Sequence, residues 1–356
     1  MFAKLGLKAL HLLDAERAHR LALKALAAGL AGRDDGPDPA SLATTVFGRR
    51  FANPVGIAAG FDKHCEALAA TLRLGPGFTE IGGVTPLPQF GNPKPRLFRL
   101  TEDRAVINRF GFNSQGHAVV AARLGKARAT GVTGIVGVNL AINKDSPDPA
   151  DDYARGIATF GADADFVAIN VSSPNTAGLR NLQAQAALAG LLERATAARA
   201  AFDPEQAPIL LVKVAPDLDA DAIAAIADVA LSFRERGLGG LVISNTTIAR
   251  PPGLKSPNAN EAGGLSGRPL FQPSTAVLMQ FARRIDGRLP LIGVGGVASG
   301  ADAYAKIKAG ASLVQLYSAL VYDGPMAIGR IKRELAALLE RDGVASVADA
   351  VGRDLN

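Results

Sequence analysis

The stretch F-V-A-I-N-V-S-S-P-N-T-A-G-L-R, residues 166–180, changes character halfway along its length. Its first half is apolar and β-branched, with Val167 and Ile169, which predicts a buried strand. Its second half places hydroxyls and Asn175 around Pro174, as in many ordinary turns. Similar polar clusters follow most of the other candidate strands, and in a parallel α/β fold the carboxyl ends of the strands carry the chemistry. We therefore expect a functional site at that edge.

Segments of this kind alternate regularly along the chain. Apolar runs and Ala-rich helical patterns alternate from residue 55 to residue 317, and eight such runs are the number that a (β/α)8 barrel needs. An open doubly wound sheet is the alternative, but no G-x-G-x-x-G fingerprint follows the first run. The sequence predicts an α/β fold, a (β/α)8 TIM barrel with a small N-terminal helical extension. The candidate strands are Val55–Ala58, Phe78–Ile81, Ile135–Asn139, Phe166–Asn170, Ile209–Val214, Gly240–Ser244, Leu291–Val294 and Leu313–Tyr317. The candidate helices include Gln183–Ala201, Asp219–Arg236 and Ser274–Arg284, and a hairpin is expected over residues 44–51.

Composition narrows the class of partner. The 356 residues carry a net charge of +6, which suggests nucleic acid, anionic lipid or a phosphorylated ligand. No basic run interleaves with aromatic residues, so nucleic acid is not expected. Cys65 is the only cysteine and the four histidines lack metal-ligand spacing, so we expect no disulfide and no metal site. A reducing compartment fits this pattern.

The first 40 residues have a pattern of their own. They contain no continuous apolar run of the kind found in signal peptides or membrane spans. Asp14 is expected to cap a helix, and residues 1–32 hold five Lys or Arg against two acids. Such a helical pair either lies on an anionic membrane surface or packs as an extra layer on the main domain. Gly32–Pro39 is interpreted as a linker. One side of the capped helix would carry Ala18, Leu21, Ala22, Ala25 and Leu26.

The polar residues at the strand ends are mostly amides and lysines. The set lacks the acid pair of a glycosidase and the histidine of a zinc or Ser-His-Asp hydrolase. Amides suit a flat ligand edged with alternating N–H and C=O groups, such as a pyrimidine. Glycines after the seventh and eighth strands are typical of a phosphate site, so a phosphate-bearing cofactor is expected to supply the difficult chemistry. The amides are Asn108, Asn139, Asn170, Asn175 and Asn245, and the lysines are Lys63 and Lys213.

Nine motifs, taken together, closely resemble those of the class 2, quinone-dependent dihydroorotate dehydrogenases. The resemblance covers essentially the whole chain, including L-L-D-A-E-R-A-H at 12–19. The motifs are A-A-G-F-D-K (58–63), P-R-L-F-R-L (95–100), N-R-F-G-F-N (108–113), A-I-N-V-S-S-P-N-T-A-G-L-R (168–180), V-K-V-A-P-D (212–217), S-N-T-T (244–247), G-G-L-S-G-R-P-L (263–270), G-V-G-G (293–296) and L-V-Q-L-Y-S (313–318).

The resemblance implies an FMN-containing barrel that oxidises dihydroorotate to orotate in pyrimidine synthesis and passes electrons to a quinone. Ser173 would be the catalytic base that removes the C5 proton while hydride leaves C6 for flavin N5. Serine is a weak base at its ordinary pKa, so a relay through Thr176 and a water near Phe112 is expected. Class 1 relatives use a cysteine at that position, whereas Cys65 lies far from this motif in the sequence.

The resemblance also assigns the ligand contacts. The substrate would be held by Lys63, Asn108, Arg109, Phe110, Gly111, Phe112, Asn170, Asn175, Asn245 and Thr246, with its carboxylate near Lys63. The flavin would be held by Ala59, Gly60, Phe61, Asp62, Lys63, Gly83, Asn139, Asn170, Lys213 and Ser244, with Lys213 beside flavin N1 and O2. The phosphate end would be held by Gly267, Gly296, Tyr317 and Ser318.

Two positions depart from the family pattern. Gly83 stands where a threonine is expected, and Ala141-Ile142 stands where relatives often have Gly-Lys. The expected protein is a monomer bound peripherally to the cytoplasmic side of the inner membrane, with a quinone segment at 1–40 and an FMN-binding catalytic barrel at 41–356. Two rival hypotheses remain, a flavin-free barrel for a phosphorylated substrate and a membrane-associated binding module.

Overall fold

The computed structural model describes residues 2–34 and 36–355 and contains a closed eight-stranded parallel barrel. Three short antiparallel strands form a separate sheet, and a hairpin precedes the barrel. In chain order the strands are β1 (Thr44–Val46), β2 (Arg49–Phe51), β3 (Val55–Ile57), β4 (Phe78–Val84), β5 (Leu97–Leu100), β6 (Ala105–Asn108), β7 (Ile135–Leu140), β8 (Phe166–Asn170), β9 (Ile209–Val214), β10 (Leu238–Ile243), β11 (Gly264–Gly267), β12 (Leu291–Val294) and β13 (Leu313–Leu316).

The helices alternate with the barrel strands, as a right-handed β/α winding requires. After the two N-terminal helices, each barrel strand is followed by at least one helix. They are α1 (Phe2–His11), α2 (Ala15–Ala27), α3 (Leu68–Leu72), α4 (His117–Ala129), α5 (Pro149–Phe160), α6 (Gln185–Arg199), α7 (Ala220–Ser232), α8 (Phe271–Ile285), α9 (Gly300–Lys308), α10 (Ser318–Asp323) and α11 (Ala327–Arg341). Among the described residues, no helix is both long and apolar enough to cross a bilayer.

The predicted barrel is confirmed strand by strand. The barrel order is β3, β4, β7, β8, β9, β10, β12 and β13, and β13 pairs with β3 to close it. All eight candidate strands and the hairpin are present, with ends that shift by up to three residues. The strands β5, β6 and β11 were not predicted, because they lie in insertions whose alternation is short and interrupted by polar residues.

Aromatic rings fill the amino end of the barrel. Phe78 makes edge contacts with Phe51 and Phe166, with ring centres 5.6 and 6.0 Å away. A Cβ atom on Gly56 would lie 2.4 Å from the Phe78 ring, and one on Gly137 would lie 2.0 Å from the Phe166 ring. Glycine at these two strand positions therefore leaves room for the rings, and the carboxyl end is left to polar residues.

The small sheet lies beside the carboxyl end of the barrel. In it β6 pairs with both β5 and β11, and β11 also bridges to Thr247 after β10. Asn108 is the last residue of β6 and faces Gly264 in the register of β11. The insertions after β4 and β10 are thus joined into one structure, which brings their polar residues toward the barrel mouth.

The N-terminal helices pack against this sheet and the barrel. The Asp14 side chain accepts the N–H of Arg17, so the predicted cap of α2 is confirmed. Glu16 makes a two-point contact with the buried Arg96, at 2.9 and 3.1 Å. The predicted apolar side of α2 is only partly correct, because Leu21 is exposed and Leu23 is buried in its place. The described helices are therefore held against the barrel by both apolar packing and an ion pair.

The predicted linker is anchored to the barrel by a buried lysine. Lys332 of α11 lies 2.7 Å from Asp34 and 2.6 Å from Asp38. The other Asp38 oxygen accepts from the Asn53 side chain at 2.7 Å. A buried cation with two carboxylates fixes the path of residues 34–38, apart from residue 35, which lies outside the described residues.

Lys332→Ala should lower the free energy of unfolding by about 3–5 kcal/mol, because it leaves two carboxylates without their cation. The matched control is Lys308→Ala, which breaks an exposed pair with Asp354 and should cost about 0–1 kcal/mol. Urea unfolding of both variants measures the difference. Equal effects in the two variants would contradict an anchoring role for Lys332.

Candidate functional site

A cavity of about 1040 Å³ lies at the carboxyl end of the barrel. Its walls come from the ends of the barrel strands, the small sheet, and the helices α1 and α2. It contains nearly all of the predicted site residues. The predicted residues that line it are Ala59, Gly60, Phe61, Lys63, Gly83, Asn108, Phe110, Gly111, Phe112, Asn139, Asn170, Ser173, Asn175, Lys213, Ser244, Asn245, Thr246, Gly267, Gly296, Tyr317 and Ser318.

Two predicted site residues have side chains that bind other parts of the protein, and their contact with a ligand stays a prediction. Asp62 does not line the cavity, because its carboxylate accepts the N–H groups of Glu66 and Ala67, both at 2.8 Å. Arg109 also points elsewhere, to Glu261 at 2.6 Å. Both side chains hold loops in place, which sequence motifs alone do not distinguish from ligand contact. Thr176, the predicted relay residue, does not line the cavity either.

Asn170, at the end of β8, is the centre of an amide cluster. Its Nδ2 donates to Asn139 Oδ1 at 2.9 Å, and its Oδ1 accepts from Asn245 Nδ2 at 3.2 Å. The Ser172 hydroxyl donates to the same Oδ1 at 2.8 Å. On the far wall, Asn175 Nδ2 donates to the Asn108 carbonyl at 3.1 Å. These bonds orient each amide, so the cavity presents a fixed pattern of donors and acceptors.

Ser173 lies in the loop after β8 and is buried. Its Oγ accepts the backbone N–H of Asn175 at 3.3 Å. Arg180 holds the loop by donating to the carbonyls of Ser172 and Thr246, both at 3.1 Å. A hydroxyl oxygen that accepts an N–H has its deprotonated form favoured. The loop therefore fixes the Ser173 oxygen at the cavity and favours its alkoxide form, which is the form that can accept a proton.

Beneath the amides lies a buried ion pair that the sequence interpretation missed. Lys213 Nζ is 3.8 Å from Glu80 Oε2, and Glu80 is fully buried. Glu80 also accepts from Asn139 and from Gln315, both at 2.6 Å. The signal was present, since a glutamate within F-T-E-I is as unusual in a core strand as the lysine within L-V-K-V. Two opposite charges in two core strands indicate a pair.

Lys63, after β3, is enclosed by cations and an aromatic ring. Its Nζ donates to Asn113 Oδ1 at 3.1 Å and lies 4.7 Å from the centre of the Phe110 ring. Arg96 lies over the same ring, 5.4 Å from its centre. Burial, with help from Arg96, lowers the pKa of Lys63 to about 8. An anion placed here would gain a charge-assisted hydrogen bond and would favour the charged form of the lysine further.

The glycine-rich end of the cavity lies beside the start of α8. Gly295 and Gly296 have φ angles of 109° and 76°, in the region that favours glycine. A Cβ atom on Gly296 would lie 2.7 Å from the Phe271 nitrogen, so only glycine allows this close approach. Ser266 and Ser318 share a hydrogen bond of 2.8 Å at the same end. This wall offers backbone and hydroxyl groups, and the charged side chains of Arg268 and Asp302 line the cavity as well.

The two departures from the family pattern are neighbours. A Cβ atom on Gly83 would lie 3.2 Å from Asn139 Oδ1 and from Phe112 Cδ1, and 3.3 Å from the Ala141 methyl. A threonine at 83 would therefore crowd three residues. Gly83 therefore lines the cavity without a side chain, and the Ala141 methyl lies beside it.

The helical side of the cavity is aromatic and apolar. His19 of α2 packs against Phe61 and Tyr317, with ring centres 5.9 and 6.1 Å away. Burial, with a contribution from Lys63, lowers the pKa of His19 to about 4, so the ring is neutral at physiological pH. Further along, the lining is Leu7, Leu10, Ala15, Ala18 and Ala22. The cavity thus runs from the barrel mouth into the space between the helices and the small sheet.

Comparisons with known proteins agree on one family. The family model described as dihydroorotate dehydrogenase matches residues 41–339. The dihydroorotate dehydrogenase (quinone) of Rhodospirillum rubrum is 57% identical over 342 residues, covering 96% of this chain and 92% of that protein. The one from Parvibaculum lavamentivorans is 56% identical over 345 residues, covering 97% and 96%. The crystal structure of ligand-free DHODH from Eimeria tenella has a TM-score of 0.91 at 41% identity, covering 96% of this chain and 99% of that one.

The fold, the cavity and these matches agree with the resemblance read from the nine motifs. This chain belongs to the dihydroorotate dehydrogenase family, in its quinone-dependent class 2.

Proposed function

We propose that this protein oxidises dihydroorotate to orotate in pyrimidine biosynthesis, with FMN as cofactor and a membrane quinone as electron acceptor. The observation that carries the proposal is the convergence of Ser173, Lys63 and the oriented amides of Asn170, Asn175 and Asn245 on one cavity. Dihydroorotate is a reduced pyrimidine ring with an edge of N–H and C=O groups and a carboxylate, and this set offers one cation and a matching row of amides.

Each group has a distinct task toward the substrate. Lys63 binds the carboxylate, and the amides of the Asn170 cluster bind the N–H and C=O edge of the ring. Ser173 Oγ would take the proton from C5 while its own hydroxyl proton passes to a water molecule, and the N–H of Asn175 would stabilise the developing alkoxide. Arg180 positions the loop through two carbonyls. The cluster would therefore bind, orient and deprotonate the substrate, and we propose a monomer as the active unit.

Dihydroorotate dehydrogenases use a flavin, and the residues present fit FMN. The Gln315 Oε1 atom is buried and, among the described residues, has no hydrogen-bond partner, so a ligand N–H would satisfy it. The Lys213 cation is suited to an electron-rich ring edge, and the Gly295–Gly296 turn at α8 is suited to a phosphate. When bound, FMN supplies the two-electron acceptor that side chains cannot provide.

Residues 1–40 are proposed to form the quinone segment, and residues 41–356 the catalytic barrel. The apolar end of the cavity between α1, α2 and the small sheet suits a quinone ring and tail. A second cavity of about 760 Å³ lies on the other side of α2 and also reaches Lys63. Arg20, Lys94 and Arg96 are part of its lining. Its cationic lining suits an anion that arrives from water. The two substrates would then approach by separate routes.

The outer surface of the same region supports peripheral membrane binding. Leu12, Leu21 and Leu30 are exposed, and Phe90, whose carbonyl accepts from Arg96 beside α2, is 96% exposed. Arg17, Arg20 and Lys24 of α2 are exposed as well. Apolar tips among cations are the pattern of proteins that bind anionic bilayers. We propose the cytoplasmic face of the inner membrane as the surface they bind.

Ser173→Ala should lower turnover by about 10²–10⁴-fold, because it removes the general base. FMN content and orotate binding should stay near wild type, and Ser173→Cys should retain more activity than the alanine variant. Ser172→Ala is the matched control, since it removes two hydrogen bonds to the amides of Asn170 and Asn245, each worth about 1 kcal/mol, and should lower turnover far less than Ser173→Ala. Steady-state kinetics with dihydroorotate measure all three. Turnover of Ser173→Ala within twofold of wild type would rule out its role as base.

Truncation and point variants should separate the two proposed routes. A protein that begins at Ala31 lacks α1 and α2 but keeps Asp34 and Asp38, the partners of Lys332. It should oxidise dihydroorotate with a water-soluble dye, but should reduce long-chain quinone poorly and no longer sediment with anionic vesicles. Ala22→Trp should block the apolar end of the cavity, so it should lose quinone reduction while keeping vesicle binding.

Leu21→Trp, on the exposed side of the same helix, is the control and should keep both properties. Full quinone reduction by the truncated protein would show that the helices are only a packing layer.

A further inference from the structure

Lys306 of α9 is a fully buried lysine outside the substrate site. Its Nζ donates to Ser274 Oγ at 2.9 Å and to Thr275 Oγ1 at 3.0 Å, both in the first turns of α8. It also lies 5.1 Å from the centre of the Phe271 ring. A lysine is seldom buried this deeply without an acid.

The charge of Lys306 is not balanced by the residues around it. Within the part of the chain that the structure describes, Lys306 forms no ion pair, and its partners are neutral hydroxyls. Asp302, one turn earlier, attracts the Lys306 charge electrostatically without forming an ion pair with it. The Asp302 carboxylate instead accepts the N–H of Ala298 at 3.0 Å. Burial lowers the pKa of Lys306 to about 7. The positive end of the α8 dipole adds to the cost of this cation.

The missing anion has an obvious place. The Ser274 hydroxyl that accepts from Lys306 also lies 3.2 Å from the carbonyl of Gly295. Gly295, Gly296 and Phe271 line the large cavity at its glycine-rich end. Lys306 is therefore linked to the cavity wall at the start of α8 by two successive hydrogen bonds, which share the Ser274 hydroxyl. A dianion against that wall would face both the helix dipole and the buried ammonium.

We propose that Lys306 is a positioning residue for the phosphate of the flavin cofactor. Its ammonium balances the phosphate charge from behind the first turn of α8. Through Ser274, whose hydroxyl also contacts the Gly295 carbonyl, it holds that turn against the glycine-rich wall. This inference rests on the proposed FMN cofactor and adds a residue that does not touch the cofactor itself.

The test measures how strongly the protein prefers FMN to riboflavin, which lacks the phosphate. Holoenzyme is equilibrated with excess riboflavin, and the bound flavins are separated and quantified. Lys306→Met and Lys306→Gln should each reduce the preference for FMN by about tenfold or more, as expected for the loss of one charge interaction in a protein interior. The glutamine variant keeps a polar head group near the hydroxyls. A reduced preference for FMN in this variant would therefore come from the missing charge.

Lys308→Met is the matched control on the same helix, with a partly exposed side chain paired to Asp354, and its preference should equal that of wild type. If Lys306 is only structural, its variants should bind both flavins more weakly by the same factor and keep the wild-type preference. That result would overturn the inference. A wild-type protein that holds flavin without preferring FMN would refute the phosphate site itself. A wild-type preference that survives in both Lys306 variants would refute only the role of Lys306.

Discussion

The barrel interior is organised by the ion pair between Lys213 and Glu80, whose charged atoms are 3.8 Å apart. Neither charge can be buried alone, so each requires the other and the hydrogen bonds that complete the pair. Asn139 and Gln315 supply those bonds to Glu80, and Asn139 in turn orients Asn170. The polar floor under the active site is therefore one connected network from four strands. Its upper surface is the row of amides, with Ser173 and Lys63 at its edges.

The fold could be predicted because its signals are local. The run from Phe166 to Asn170 is apolar and β-branched, and its bounds were predicted correctly. The position of a strand within the barrel follows from the alternation of apolar runs with helical segments and from the number of such runs. The role of a polar side chain depends instead on its contacts in the folded chain, which explains why Asp62 was assigned to the cofactor although its carboxylate accepts N–H groups of the loop before α3. Glu80 was missed for the same reason, since its partner lies on a strand more than a hundred residues later. The contact between His19 and the Phe61 ring could not be inferred until α2 was placed.

The N-terminal helices are joined to the substrate site by a short chain of contacts. Glu16 of α2 binds Arg96, Arg96 stacks on the Phe110 ring, and Lys63 lies over the same ring. Arg99 continues the attachment by donating to the carbonyls of Leu10 and His11, at 3.2 and 3.0 Å. The proposed quinone segment is thus connected, through Arg96 and the Phe110 ring, to the proposed dihydroorotate site at Lys63. The barrel supplies the chemistry, and the helices complete the cavity in which it takes place.

We propose that Lys213 is buried so that its charge can act on the electron-accepting edge of the cofactor, and that Glu80 tunes that charge. The midpoint potential of the bound flavin in Lys213→Met and Glu80→Gln tests this role. Loss of the cation should make the potential more negative, and loss of the anion should make it more positive. Each shift should be roughly 30 mV or more, equivalent to about 1.4 kcal/mol for a two-electron couple. Potentials equal to that of wild type in both variants, with flavin still bound, would contradict the account and leave the pair a structural feature.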